Sequence, residues 1–511
     1  MAVITINGNT SLNPTAAPDA YVNVLSPQPS GATNVSATIG ALVGSGGWSE
    51  PNTPIPVSTS AGAIAAFGPM TLAAHDLVTD LQQATAFSNN LLAVRVTDGT
   101  DTAATVQIKD SGATVVGITV TAKYTGSVGN TISVSIAAGS LSVASAPTAT
   151  VTVQRAGYPG EVFANLPNSA TGSLWPALVN ALNNGVSGQR GPSQLVVGTI
   201  GASVLGAAFA TSTLAGGTNG DTNVTSADQI GLDGTSGRTG MYALRSTGAA
   251  VFGLCGNTDS TVYATQQTFG ESEGMLAILG CPASMPTATL VTTKQTANLV
   301  GDWAKVVKDF ITFYDATNAQ QRSIAPIGEA VGFRAGLNPW DSTLNKPSGG
   351  IQNIISTVAT STPYSEAEIG VMLAAGIDTI CNPIPAANVY GFRTGVVASG
   401  KDDNYPIFTS YLARSFASVM GPFVGNLQSS QVGDQTRARA RAALHNFMST
   451  INAQIDSYDL TLDHTNNTPT TVGEGYLIGA INVRYLGVIR QFLLNFQGGS
   501  TVSVTVNSPL A

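Results

Sequence analysis

One stretch of the chain is spaced for phosphate chemistry. Gly395-Val396-Val397-Ala398-Ser399-Gly400-Lys401 reads G-x-x-x-x-G-K, but Asp402 stands where a Ser or Thr hydroxyl would hold magnesium. Asp402 and Asp403 would set negative charge beside a phosphate, and Pro406 falls in the first turn that the following helix would need. The stretch therefore reads as a surface loop. Acyl transfer needs a serine in a strained turn and a histidine to take its proton. No G-x-S-x-G occurs, and His75, His445 and His464 stand in a helix, an Arg-bearing helix and a polar loop. Cys255, Cys281 and Cys381 fall in or at the end of apolar runs, where a thiol acts as a small buried hydrophobe. No C-x-x-C, H-x-x-x-H or EF-hand loop is present, and Asp98-Gly99-Thr100-Asp101 is a turn without the remaining ligands. The expectation is a chain with no catalytic residue, cofactor or metal. What does stand out is a cationic face: Arg437, Arg441 and His445 fall at i, i+4 and i+8, with Arg439 between them. Guanidinium forks of this kind suit an acidic partner.

Those residues sit in an unusually neutral chain. It has 511 residues, a net charge of −8 and only 10% charged residues, against about 25% in an ordinary globular domain. No charge occurs between Asp19 and Glu50, Lys123 and Arg155, or Arg190 and Asp221. A hydrophobic content of 43% with so few charges excludes disorder. Sparse Lys and Arg exclude a dedicated nucleic-acid binder. Ser, Thr, Asn, Gly and Pro interrupt each neutral block, so none reads as a membrane span. The N-terminus lacks a basic region and a continuous apolar run, which predicts a cytoplasm-like compartment. Residues 401–511 carry seven Lys or Arg and seven Asp or Glu, so the whole net charge lies in residues 1–400.

The elements that must position these residues follow from periodicity. Residues 1–25 read as an arm with short strands at 2–6 and 21–24, and 26–97 as part of a core with helices near 58–67 and 72–86 and a strand at 91–96. Residues 98–215 predict a mainly β insertion, with strands near 114–124, 131–136 and 148–154 and one helix near 174–183. Buried-type runs at 249–255, 275–281, 310–314 and 377–380 alternate with helices at 261–269 and 287–300, which predicts a doubly wound α/β domain over 216–395. Residues 396–498 predict two amphipathic helices, at 405–428 and 434–455. Their stripes are Leu412, Phe416, Val419, Phe423 and Leu427, and Ala440, Leu444, Phe447, Ile451 and Ile455. Pro422 predicts a kink in the first. Strands are expected at 475–483 and 488–496, and 499–511 is a terminal arm with strict alternation through Val502, Val504 and Val506. A strand at each end with no partner is an aggregation hazard unless another chain pairs with it. Val3, Ile4, Ile6, Val502, Val504 and Val506 are therefore the expected strand-exchange residues.

The order of several motifs resembles the tail sheath proteins of contractile-tailed bacteriophages and related contractile injection devices. Ala17-Pro18-Asp19-Ala20-Tyr21-Val22-Asn23-Val24 is similar to that family's P-G-V-Y-V opening, with Asp-Ala replacing the glycine step. Ala41–Gly44 through Trp48, Asn52-Thr53-Pro54 and Phe67-Gly68-Pro69 resemble its next conserved stretch, and Leu92-Ala93-Val94-Arg95-Val96 its "VRV" strand. Ala122-Lys123-Tyr124-Thr125-Gly126-Ser127-Val128-Gly129-Asn130 resembles an "AKYxGxxGN" turn. Asn338-Pro339-Trp340, Lys346-Pro347-Ser348-Gly349-Gly350, the Leu373–Ile380 segment and Tyr390-Gly391-Phe392-Arg393-Thr394 follow the family's later order, with Phe392 in place of a polar residue.

The resemblance implies an α/β and α+β multidomain fold. Its parts would be a doubly wound, subtilisin-like domain without an active site, an inserted outward-facing β domain, a C-terminal helix-plus-strand domain and strand-forming arms. It further implies a structural virion protein that assembles in the host cytoplasm as stacked homo-hexameric rings around a tail tube protein and contracts to drive the tube through the host envelope. Baseplate and tail terminator proteins would be further partners, without nucleic acid or membrane insertion. Arg437, Arg441 and His445 become candidate tube-facing residues. The sheath of a bacteriocin or secretion device is the alternative within the family. Outside it stand a surface-layer protein or adhesin, and a hydrolase or NTPase built on the α/β domain.

Overall fold

The computed structural model describes residues 3–6, 21–24, 38–169, 171–235, 237–349, 351, 353–355, 364–382 and 389–491. Its centre is a nine-stranded sheet in the order Lys346–Ser348, Tyr390–Phe392, Ile377–Cys381, Ala304–Lys308, Leu276–Gly280, Val251–Leu254, Gly40–Ser45, Leu91–Val96, Pro54–Val57. The six strands from Ile377–Cys381 to Leu91–Val96 are parallel, and the remaining pairings at both margins are antiparallel. The segments expected as separate units over 26–97 and 216–395 therefore share one sheet, because Gly40–Ser45 pairs with Val251–Leu254 in register Gly40↔Val251 to Val43↔Leu254.

Alternate residues of these strands feed two cores. Leu42, Ala93, Leu276, Ile278 and Val307 face one side, where Leu77, Leu81, Ile327 and Val331 cover them. Ala41, Val43, Val94, Ala277, Leu279 and Val306 face the other, under Tyr263, Phe269, Leu290 and Met372. Helices on both faces bury both sides of the central strands, which is why Val251–Leu254 and Leu276–Gly280 are continuous apolar runs.

Two elements differ from the sequence expectation. The apolar run at 310–314 is strand Phe310–Asp315, but it lies outside the central sheet. It turns back on itself and pairs antiparallel with Gln320–Ile324 and Asn353–Ile355. The turn is set by the Asp315 carboxylate accepting from Asn318 N at 2.9 Å and by Ala319 at φ +52°. In its place the central sheet takes Ala304–Lys308, whose two lysines break the apolar pattern. The helix Ile327–Gly336 was also not expected. Gly328 and Gly332 let it lie against Leu77–Ala84, since an added Cβ would meet Asp80 O and Ala84 Cα at 2.3 Å each.

Lys305 is buried because it is paired. Its Nζ lies 2.8 Å from Asp378 and 2.7 Å from Asp403. Asp403 also accepts from Ser342 Oγ at 2.9 Å and Thr343 N at 3.1 Å, and Asp378 accepts from Thr394 N at 3.0 Å. Burial works against the Asp403 carboxylate, but the Lys305 and Arg334 charges overcome it and hold the group below its ordinary value. Asp403 immediately precedes the helix Asn404–Met420, so this cluster fastens the C-terminal unit to the sheet.

The insertion comprises two antiparallel sheets. One runs Val196–Ile200, Val116–Ala122, Thr105–Lys109; the other runs Glu161–Pro167, Thr148–Arg155, Ile132–Ala138, Thr211–Thr213. The helix Leu174–Asn184 packs its Trp175 over Gly117, where an added Cβ would approach the indole to 2.1 Å.

Replacing Lys305 by Ala leaves two buried carboxylates without their cation. The expected loss is about 3–5 kcal/mol in unfolding free energy, read from the urea midpoint at unchanged slope.

Candidate assembly surface

In an open parallel sheet, ligands bind beyond the carboxyl ends of the strands where the chain order reverses. Here that point lies between Gly40–Ser45 and Val251–Leu254. The chain fills it with itself. Ser45 N donates to His75 O at 2.8 Å, and His75 Nδ1 lies 2.9 Å from Cys255 O. Gln229 is 0% exposed and donates to Val43 O at 3.2 Å and Cys255 O at 2.8 Å. An added Cβ on Gly256 would lie 1.9 Å from Ala74 O, so segment 74–76 sits directly on the strand ends.

The phosphate-like stretch is also closed. Val397 N donates to Lys401 O and Gly400 N to Val397 O, at 3.0 and 2.8 Å. Lys401 Nζ pairs with Asp302 at 2.8 Å. The helix does open at once at Asn404, with Pro406 in its first turn, where a missing N–H costs nothing. Cys255, Cys281 and Cys381 are free and buried. Among the described residues no three His, Cys, Asp or Glu converge as a metal site, and no helix is long and apolar enough to cross a membrane.

The cationic face lies in the C-terminal unit. Helices Asn404–Met420 and Gln435–Thr450 pack over an antiparallel pair, Ile455–Thr461 with Ala480–Tyr485. Phe408, Leu412, Met448, Ile451 and Ile455 form its core. The first helix stops at Met420 instead of kinking, and Pro422 falls in a short 3-10 turn. That ending takes Leu427 off the expected stripe, and it is 92% exposed. Residues 488–491 are not a strand, and the remainder of the strand expected at 488–496 lies outside the described residues. The two-stranded sheet has no further strand on either side among the described residues. A two-stranded sheet alone is marginal in water.

The cationic face divides. Arg437 is only 2% exposed. The loop before its helix folds over it: its guanidinium donates to Ser429 O at 3.0 Å and to Gln431 O, while Asp434 caps the helix by accepting from Arg437 N at 2.7 Å. Arg437 thus holds the 427–433 loop and is not available as an open contact. Arg439 and Arg441 are exposed, and half-buried His445 has its Nδ1 2.9 Å from Tyr458 Oη on the strand below. At the other end Val3, Ile4 and Ile6 lie in strand Val3–Ile6, which pairs in parallel with Tyr21–Val24 of the same chain. Val502, Val504 and Val506 lie outside the described residues.

Fold and surface together define a doubly wound α/β core carrying an inserted β unit and a helix-plus-strand end, with residues 74–76 lying over the carboxyl ends of its middle strands. Solved structures share this fold. A sheath tail protein from Listeria innocua superposes with a TM-score of 0.57 at 14% identity, over 84% of this chain and 89% of that one. One from Desulfitobacterium hafniense gives 0.51 at 16% identity, over 84% of this chain and 91% of that one. No protein-family model and no curated protein matches the sequence.

Arg437→Ala removes two charge-assisted bonds from a buried site. The expected cost is about 1.5–3 kcal/mol, with faster amide exchange confined to residues 427–437.

Proposed function

We propose that the chain is the structural subunit of a contractile tail sheath. The observation that carries this reading is the fold it shares, over most of both chains, with the two sheath tail proteins. The self-filled switch point supports a structural over a catalytic role. On this reading the subunits form hexameric rings stacked around a tail tube protein, between baseplate and terminator proteins, in a virion assembled in the host cytoplasm. Contraction is then a change between two packings of the same subunits.

The terminal arms supply the links. Strand Val3–Ile6 and the alternating Val502, Val504 and Val506 add to sheets of neighbouring subunits, and the edges of the Ile455–Thr461 and Ala480–Tyr485 pair, which take no third strand among the described residues, are the proposed receivers. Each backbone hydrogen bond so formed contributes about 0.5–1.5 kcal/mol. Arg441 and His445 are the proposed tube-facing groups, while Arg437 acts through the loop it holds.

Negative-stain microscopy of the purified chain at high concentration is expected to show striated tubes. A chain that stays a monodisperse monomer overturns the assembly reading. Deleting residues 500–511 is expected to leave the circular-dichroism melt unchanged and to abolish the tubes. Normal tubes from the truncated chain would show that the C-terminal arm is not a link.

A further inference from the structure

The chain leaves the central sheet after Leu91–Val96, builds the inserted β unit, and returns through residues 216–221. A two-crossing neck is usually a hinge, because few contacts pass through it. This neck is built otherwise. Arg95, the penultimate residue of strand Leu91–Val96, is 0% exposed. Its guanidinium donates to Ser49 O of the core at 2.8 Å, to Thr125 O and Oγ1 of the insertion at 2.9 and 3.0 Å, and to Asn219 O of the returning crossing at 3.1 Å. Asp101 of the outgoing crossing lies 3.7 Å away and also accepts from Thr125 Oγ1. One side chain therefore touches the core, the insertion and both crossings.

Other contacts surround it. Trp48 reaches from the core into the hydrophobic cluster of the insertion, where its ring meets Tyr124 edge-on at 5.3 Å. Arg155 of the insertion donates to Ile64 O, near the carboxyl end of helix Ser60–Phe67, at 3.1 Å. Backbones meet directly as well: Val128 N donates to Gly47 O at 3.3 Å, and an added Cβ on Gly126 would lie 2.0 Å from that oxygen. Ser127 N donates to Asn219 Oδ1 at 2.7 Å.

We infer that Arg95 is a positioning residue that locks the inserted β unit to the central sheet, so that the two move as one body. A guanidinium suits this task because its donors are fixed in a plane and can satisfy several carbonyls at once, which an ammonium on a flexible stem does not. The lock belongs to the folded chain and does not depend on the assembly reading.

The test is a distance distribution between spin labels in the full-length chain. Labels go on Lys109→Cys in the insertion and Ala288→Cys in the core, both exposed, and the chain is diluted into excess unlabelled protein. The native cysteines are buried and take no label. With Arg95 present the distribution is narrow. Arg95→Met is expected to broaden it by about twofold or more, and Arg95→Lys by an intermediate amount, because the fork geometry is lost. A merely stabilising residue would lower the melting temperature without broadening the native distribution. An unchanged width in Arg95→Met overturns the inference. If that variant does not fold, Arg95→Lys decides: it keeps the charge and loses the planar fork, and a width equal to the parent's likewise overturns the lock.

Discussion

The parallel pairing of Gly40–Ser45 with Val251–Leu254 is the constraint from which the rest of the architecture follows. It joins two parts of the chain that the whole β insertion separates. Once made, it buries both strands between two helix layers and places the reversal of strand order at their carboxyl ends. It also forces the insertion to leave and return at one narrow place beside Leu91–Val96.

A chain so poor in charge spends much of it inside. Lys305 with Asp378 and Asp403 joins the sheet to the C-terminal helix. Arg414, pushed down to about 10 by burial, donates to Gly248 O and Ala249 O and joins the same helix to the loop before Val251–Leu254. Arg334 donates to the carbonyls of Asn338, Pro339 and Asp341, and Arg95 and Arg437 hold carbonyls in the same manner. Most of these cations are satisfied largely by backbone oxygens, which lets one side chain secure several stretches of chain at once. The surface left over is sparsely charged, and such surfaces lose little hydration energy when copies meet.

The legible parts of the fold were those whose periodicity is their own. Leu91–Val96 falls on the expected residues, Leu174–Asn184 and Thr148–Arg155 extend the expected ranges by one residue, and the three cysteines are buried in the expected runs. Ala304–Lys308 was not legible, because its lysines look solvent-facing until Asp378 and Asp403 reach Lys305 from elsewhere and Tyr364 reaches Lys308. Ile327–Gly336 was not legible either: its glycines disfavour a helix locally and make sense only against Leu77–Ala84. At the candidate site, the i, i+4, i+8 spacing identified the Arg437–Arg441–His445 face. It carried no information that the 427–433 loop would close over Arg437.

By itself the sequence determined the alternation of elements, the absence of a catalytic constellation in its motifs, and the neutral character that opposes nucleic-acid binding and disorder. These are local properties, set by residue type and spacing within a few turns of chain. Only the tertiary structure decided which strands share a sheet, which charges are buried, and whether the insertion is hinged or fastened. Such choices depend on groups far apart in sequence, as Arg95 and Asn219 are, and a buried charge is tolerable only where its distant partners converge.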